Sequence, residues 1–191
     1  MHVGLYFGSF NPIHIGHLII ANHVLNATDV EKVWFVVSPQ NPLKPSATLL
    51  NEYDRLHLVN LAIEGNSHFM ASSIEFKLPK PSYTVDTMAY LMEKYPQHHF
   101  SIIMGGDSYQ NLPRWKNNEV LKARYRFIVY KRPGFDIAPG ENNTVVLEAP
   151  LLDISATTIR KLILEKKSIM YLVPDSVRGE IEANRYYLPK V

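Results

Sequence analysis

Two histidines, His14 and His17, stand three residues apart in the stretch Gly8-Ser9-Phe10-Asn11-Pro12-Ile13-His14-Ile15-Gly16-His17, just where an apolar run stops. If a helix begins there, residues three apart project from the same side, and the first backbone N–H groups have no partner within the helix. The positive end of the helix dipole adds to them, so the two imidazoles would serve as extra donors to an anion, a phosphate above all. Gly8 would let that phosphate approach the backbone, Pro12 would fix the turn, and Gly16 would allow close packing between the histidines. Two other arrangements are open on local spacing alone. One is a pair of ordinary, satisfied histidines. The other is half of a zinc site, although no Asp or Glu lies nearby in sequence to complete the ligands.

Other residues of the right type are scattered along the chain. Ser155 is a good N-cap for a helix that carries Thr157 and Arg160, so free amides and a forked, fixed charge would converge on phosphate oxygens, or the segment is simply a capped helix. Gly105-Gly106-Asp107 follows an apolar run, where Asp107 would accept hydrogen bonds from a ribose or cap a helix. Ser82-Tyr83-Thr84 opens a helical pattern whose first amides could hold a carboxylate. Trp115, a residue type more often found in a core, lies in the polar, turn-like Leu112-Pro113-Arg114-Trp115-Lys116, where it could stack on a ring instead.

These residues need a frame, and the apolar pattern supplies one. β-rich runs at His2 to Phe7, Lys32 to Val37, Phe69 to Phe76, Phe100 to Met104, Phe127 to Tyr130 and Val145 to Leu147 alternate with helical spacing at Leu18 to Asn26, Tyr53 to Ile63 and Val85 to Tyr95. Such alternation implies right-handed crossovers and predicts an α/β fold with a doubly wound, mostly parallel sheet covered on both faces. Ligands then bind beyond the carboxyl ends of the strands, where the histidine stretch, the Gly105 turn and the turn after Tyr130 all fall. Residues 154–187 read as two helices packed on the sheet edge.

The 191 residues, 46% of them hydrophobic, fit one domain over the whole chain, residues 1–191. A formal charge of only +2 gives no general reason to bind nucleic acid or an anionic membrane. With no cysteine, thiolate nucleophiles, disulfides and cysteine-zinc sites are excluded, and a reducing cytoplasm is compatible. No leader pattern and no apolar stretch long enough for a membrane span are present in the sequence, so the expectation is a cytoplasmic protein. A homo-oligomer is left open.

The stretch from Gly8 to His17 resembles the GxFxPxHxGH motif of the nucleotidyltransferase superfamily that shares its HIGH signature with class I aminoacyl-tRNA synthetases. Ile154-Ser155-Ala156-Thr157-Thr158-Ile159-Arg160 resembles the ISSTxIR motif of the same superfamily. Between them, Asn41-Pro42-Leu43-Lys44, Ser82-Tyr83-Thr84, Gly105-Gly106-Asp107 with Trp115, and Arg132-Pro133-Gly134 are similar to segments of the nicotinate-nucleotide adenylyltransferases along nearly the whole chain. Leu43 stands where that family has a loop histidine, Gly106 for a common alanine, Ala156 for the second serine, and Ser9 and Asn11 for a frequent threonine and aspartate.

The resemblance implies a Rossmann-like domain that transfers AMP from ATP to nicotinic acid mononucleotide, giving deamido-NAD and pyrophosphate. It assigns His17 to the α-phosphate, His14 to the neighbouring phosphates, and Lys44 and Arg160 to the pyrophosphate. ATP would meet Gly8, Ser9, Phe10, Gly105, Asp107, Arg132, Ser155 and Thr157 besides, and the mononucleotide would meet Ser82, Tyr83, Thr84, Trp115 and Lys44. Mg²⁺ would come with ATP, held by substrate oxygens and water because the sequence offers no dedicated carboxylate cluster. Two other functions fit fewer of these residues. One is another adenylyltransferase of the superfamily, with a nicotinamide mononucleotide or phosphopantetheine acceptor. The other is a non-catalytic nucleotide- or RNA-binding module, which near-neutral charge and the lack of an anticodon-binding extension disfavour.

Overall fold

In a computed structural model, residues 1–40, 48–131, 143–148, 150 and 153–189 are described. Six strands form one sheet: β1 (His2–Gly8), β2 (Lys32–Val37), β3 (Phe69–Ser72), β4 (His99–Gly105), β5 (Arg126–Tyr130) and β6 (Thr144–Leu147). Their order is β3-β2-β1-β4-β5-β6 and every pairing is parallel. The helices are α1 (Ile15–Ala27), α2 (Glu52–Ile63), α3 (Thr84–Lys94), α4 (Gly106–Gln110), α5 (Asn118–Arg124), α6 (Ala156–Leu164) and α7 (Asp175–Ala183). The expected doubly wound parallel sheet is thus present.

Both faces of the strands are apolar because both are covered. Val3, Leu5, Trp34, Val36, Ile102, Met104, Phe127 and Val129 face one layer with Met88 and Leu91 of α3 and Leu121 of α5. Their alternates, Tyr6, Val33, Phe35, Val37, Ile103, Ile128 and Tyr130, face α1, α2, α6 and α7. Each fully buried Leu, Ile or Val side chain contributes about 1.5–3 kcal/mol relative to exposure, which makes the two-layer arrangement the dominant constraint on register.

Two expectations need correction. The third strand ends at Ser72, and Ile74–Lys77 form a 3₁₀ turn. The cause is Glu75, which is buried and accepts a hydrogen bond at 2.8 Å from the Thr87 hydroxyl of α3, an attachment that an extended continuation of the edge strand would not make. The C-terminal helices do not lie on the sheet edge: Ile159, Val177 and Ile181 complete the layer of α1 and α2. The short helices α4 and α5 carry too few turns to announce themselves by periodicity. Among the described residues no helix is long and apolar enough to cross a membrane.

Strand order reverses at β1, which pairs with β2 on one side and β4 on the other. The crossovers leaving β1 and β4 therefore open a crevice beyond their carboxyl ends. The turns after Gly8 and Gly105 both border it.

Candidate active site

Helix α1 begins three residues earlier than its apolar spacing suggests, so His14 is its N-cap and His17 lies in its first turn. The backbone N–H of His14 donates to His17 Nδ1 at 3.2 Å. A neutral His17 therefore carries its proton on Nε2. The two imidazoles lie nearly parallel, with ring centroids 3.7 Å apart. His14 is buried and leans over Gly16, where a Cβ would sit only 3.1 Å from its Nδ1. Gly16 is thus explained by the space the His14 ring needs.

Behind the histidines stands an aromatic wall. Phe10 and Tyr6 meet the His17 ring edge-on at 5.1 and 5.9 Å between centroids. Phe10 has φ +46° and turns its ring back into the core, 2% exposed, against Tyr6 and Phe35. A Cβ on Gly8 would meet that ring at 2.8 Å, so Gly8 makes room for Phe10. The Tyr6 hydroxyl is 3.2 Å from that of Tyr130, whose ring closes over Gly105. Asp107 Oδ1 folds over the same glycine, at 2.5 Å from where a Cβ would be. Asp107 lies at the start of α4, at the end of β4 next to the histidine turn.

The second motif comes to the first. Ser155 caps α6, accepting from the Thr158 N–H at 3.1 Å. Arg160 donates to the Asn11 carbonyl at 2.7 Å and to the Thr157 hydroxyl at 3.3 Å. Residues 149 positions apart in sequence are thereby joined at the mouth of the β1–α1 turn. Asn11 is itself buried and fixed from a third side: its amide donates to the Thr48 carbonyl, and its Oδ1 accepts from the Leu50 N–H.

Ser82, Tyr83 and Thr84 form a separate group. Tyr83 is the N-cap of α3, and the amides of Thr84 and Val85 open that helix. Ser82 is buried and its N–H donates to the Gln40 carbonyl at 3.4 Å, tying the helix start to the segment after β2. Trp115 follows a 3₁₀ turn, Leu112–Arg114, and packs half-buried against the α3 layer. Its neighbour Lys116 bridges to this group, 2.8 Å from Asp86 and 4.8 Å from the centroid of the Tyr83 ring. Lys44, Arg132 and the Arg132-Pro133-Gly134 turn lie outside the described residues. Among those described, no three His, Asp or Glu side chains gather as metal ligands.

Two buried ionisable residues escape sequence reasoning because neither sits in a recognisable pattern. Arg55 of α2 is fully buried and donates to the carbonyls of Ser9, Ser38, Pro39 and Leu50. Burial pulls its guanidinium below the ordinary value. Glu75 lies beneath the start of α3, where burial pushes its carboxyl above the usual range, while the hydroxyls of Thr87, Ser38 and Ser82 pull the other way. The C-terminal Tyr187 stands near both Arg160 and Arg55, and burial raises its phenol despite those charges.

A helix start, two imidazoles and a forked cation on one side of this crevice, and the Asp107 carboxylate beside the Gly105 turn on the other, are groups that could meet a nucleotide. The match to known proteins is of the same kind. Residues 5–162 fit the cytidylyltransferase-like family. A Cytophaga hutchinsonii protein named probable nicotinate-nucleotide adenylyltransferase is 50% identical over 98% of both chains. A Flavobacterium psychrophilum protein of that name is 47% identical, over 98% of this chain and 99% of its own. Among solved structures, the Plasmodium falciparum nicotinic acid mononucleotide adenylyltransferase complexed with NaAD superposes with a TM-score of 0.83 over 97% of both chains; at 20% identity this likeness concerns the fold alone. The chain belongs to the cytidylyltransferase-like family of nucleotidyltransferases, and within it to the nicotinate-nucleotide adenylyltransferases.

Proposed function

We propose that this chain transfers AMP from ATP to nicotinic acid mononucleotide, releasing pyrophosphate and forming nicotinate adenine dinucleotide. The observation that carries this is the meeting of Arg160 with the histidine turn at the Asn11 carbonyl, 2.7 Å away, which gathers a guanidinium, a helix start and two imidazoles at one point. The mononucleotide phosphate attacks the α-phosphorus in line. Such a reaction needs positioning and charge stabilisation more than a covalent nucleophile. His17, donating from Nε2, meets the α-phosphate oxygens as their charge builds. His14 and the first amides of α1 meet the neighbouring phosphates, and Arg160 the departing pyrophosphate. The turn at Gly8 and Ser9, with Ser155 and Thr157 at the start of α6, lines the phosphate path. Asp107, close over Gly105, accepts from the adenosine ribose.

At the other end, the Thr84 and Val85 amides donate to the nicotinate carboxylate, and Trp115 lies against the pyridine ring. Lys44 and Arg132 would add cations to the same two ends. Mg²⁺ would accompany the ATP phosphates and add to the stabilisation of their charge.

The test is pyrophosphate release from ATP with each of three acceptors: nicotinic acid mononucleotide, nicotinamide mononucleotide and phosphopantetheine. A helix start offers donors and a positive dipole end, so the amide acceptor would strand a donor against its NH₂, costing roughly 1–3 kcal/mol, and forfeit the charge term as well. The expected preference for the acid in kcat/KM is at least about a hundredfold. Equal rates with acid and amide would remove the α3 start from acceptor recognition, and release with phosphopantetheine alone would replace the acceptor altogether.

A further inference from the structure

We infer that Arg55 is a positioning residue that sets the distance between the two halves of the active site. The inference rests on the acceptor and donor assigned above.

The Arg55 side chain is fully buried, and its hydrogen bonds run to main-chain carbonyls of three separate segments. Nη1 reaches the Ser9 carbonyl at 2.5 Å, in the turn that leads to His14 and His17. Nη1 also reaches the Ser38 carbonyl at 2.8 Å, and Nη2 the Pro39 carbonyl at 3.1 Å, just beyond β2. Nε reaches the Leu50 carbonyl at 2.8 Å, beside the Leu50 N–H that holds Asn11. The residue after Pro39 is Gln40, whose carbonyl receives the Ser82 N–H ahead of the α3 start. One planar group therefore spans the phosphate turn on one side and the strand end attached to the mononucleotide helix on the other.

Removing the guanidinium would leave four main-chain carbonyls without their donor, so the group also holds the fold together, although a buried cation costs desolvation. What only a guanidinium supplies is a rigid fork with donors at fixed angles. A lysine keeps the charge but offers one point in place of a plane. In-line transfer demands that attacking oxygen and α-phosphorus be held at near-contact, and a misplacement of 1 Å can cost about a hundredfold in rate. Ground-state binding of each substrate uses only its own half of the site and is far less sensitive to the separation.

Arg55→Lys is therefore expected to lower kcat at least about tenfold while the KM values for ATP and for nicotinic acid mononucleotide each stay within about threefold. Thermal unfolding and near-ultraviolet circular dichroism of the same preparation establish that the variant is folded at the assay temperature. A purely structural role would lower the melting temperature and leave kcat per folded molecule unchanged, which overturns the inference. A loss confined to one substrate's KM also overturns it, since Arg55 would then serve one half-site. Amide hydrogen exchange of Arg55→Lys, without substrates, gives a readout that does not depend on the assigned reaction: residues 9–14 and 82–87 should lose protection together. Increased exchange in only one stretch, or in neither, refutes the coupling. Failure of both Arg55→Lys and Arg55→Gln to fold would assign the residue to the fold alone. Wild-type protein assayed alongside separates the two levels: inactivity there refutes the assigned reaction, while the exchange result still decides on Arg55.

Discussion

Gly16→Ala changes one hydrogen into a methyl group at a crowded point of the site. The new Cβ would stand 3.1 Å from His14 Nδ1 and 3.2 Å from Cε1, against a comfortable contact of about 3.5 Å or more. The ring must move by about 0.4 Å to relieve this. It cannot retreat freely, because it is buried and the His17 ring lies 3.7 Å from it, centroid to centroid. With rate falling about a hundredfold per 1 Å of misplacement, the shift corresponds to a loss of about sixfold in kcat. Stability should hardly suffer. Alanine is favoured over glycine by up to about 1 kcal/mol inside a helix, which offsets the local strain, so the melting temperature should stay within about 3 °C. The assay is steady-state pyrophosphate release at saturating substrates, alongside a thermal melt. Because the methyl group acts through the His14 ring, the double variant with His14→Ala should be no slower than His14→Ala alone. Unchanged kcat in Gly16→Ala, or losses that simply multiply in the double variant, would refute the account.

His17→Ala should lower turnover by about a hundredfold or more with the fold intact, because it removes the donor aimed at the reacting phosphate; normal kcat in the folded variant takes His17 out of the reaction. Binding of nicotinic acid mononucleotide should perturb the fluorescence of Trp115 in a Trp34→Phe background, Trp34 being buried against Tyr95 and Phe100 in the core; an unchanged spectrum at saturation refutes the stacking. Glu75 favours its neutral form in the folded chain, since burial raises its carboxyl. Its contribution to stability is thus complete below the ordinary glutamate range and is lost as pH rises through the raised folded value. Relative to wild type, Glu75→Gln should gain melting temperature steadily from about pH 4.5 upward, the ordinary glutamate range, and parallel pH profiles for the two proteins would contradict this.

Much of the architecture is written in local pattern. Lys32 to Val37 is apolar on both sides of its pleat, which only a strand covered on both faces tolerates, and that alone points to parallel pairing with helices above and below. Gly8 to His17 and Ile154 to Arg160 could be singled out because helix starts are local chemistry: a cap, a turn and a charge within one or two turns of chain suffice to define them. Purpose within those stretches was less visible. Gly8, from sequence, lets a phosphate approach the backbone; in the folded chain it also makes room for the Phe10 ring, and only packing could say so.

What tertiary structure alone decided concerns groups whose partners lie far away in the chain. Nothing around Arg55 in sequence distinguishes it from a solvated helix arginine, because its acceptors are carbonyls of Ser9, Ser38, Pro39 and Leu50, and every residue type carries a carbonyl. Glu75 sits in an apparently continuous strand pattern, and the Thr87 hydroxyl that turns it inward belongs to another element. The join between Arg160 and Asn11 exists only because the layer formed by Ile159 and the α1 and α2 residues seats α6 beside the first turn. Periodicity and capping depend on neighbours within a few residues and so are legible along the chain. Long-range hydrogen bonds depend on where the packed layers bring the backbone, and that is settled only once both faces of the sheet are filled.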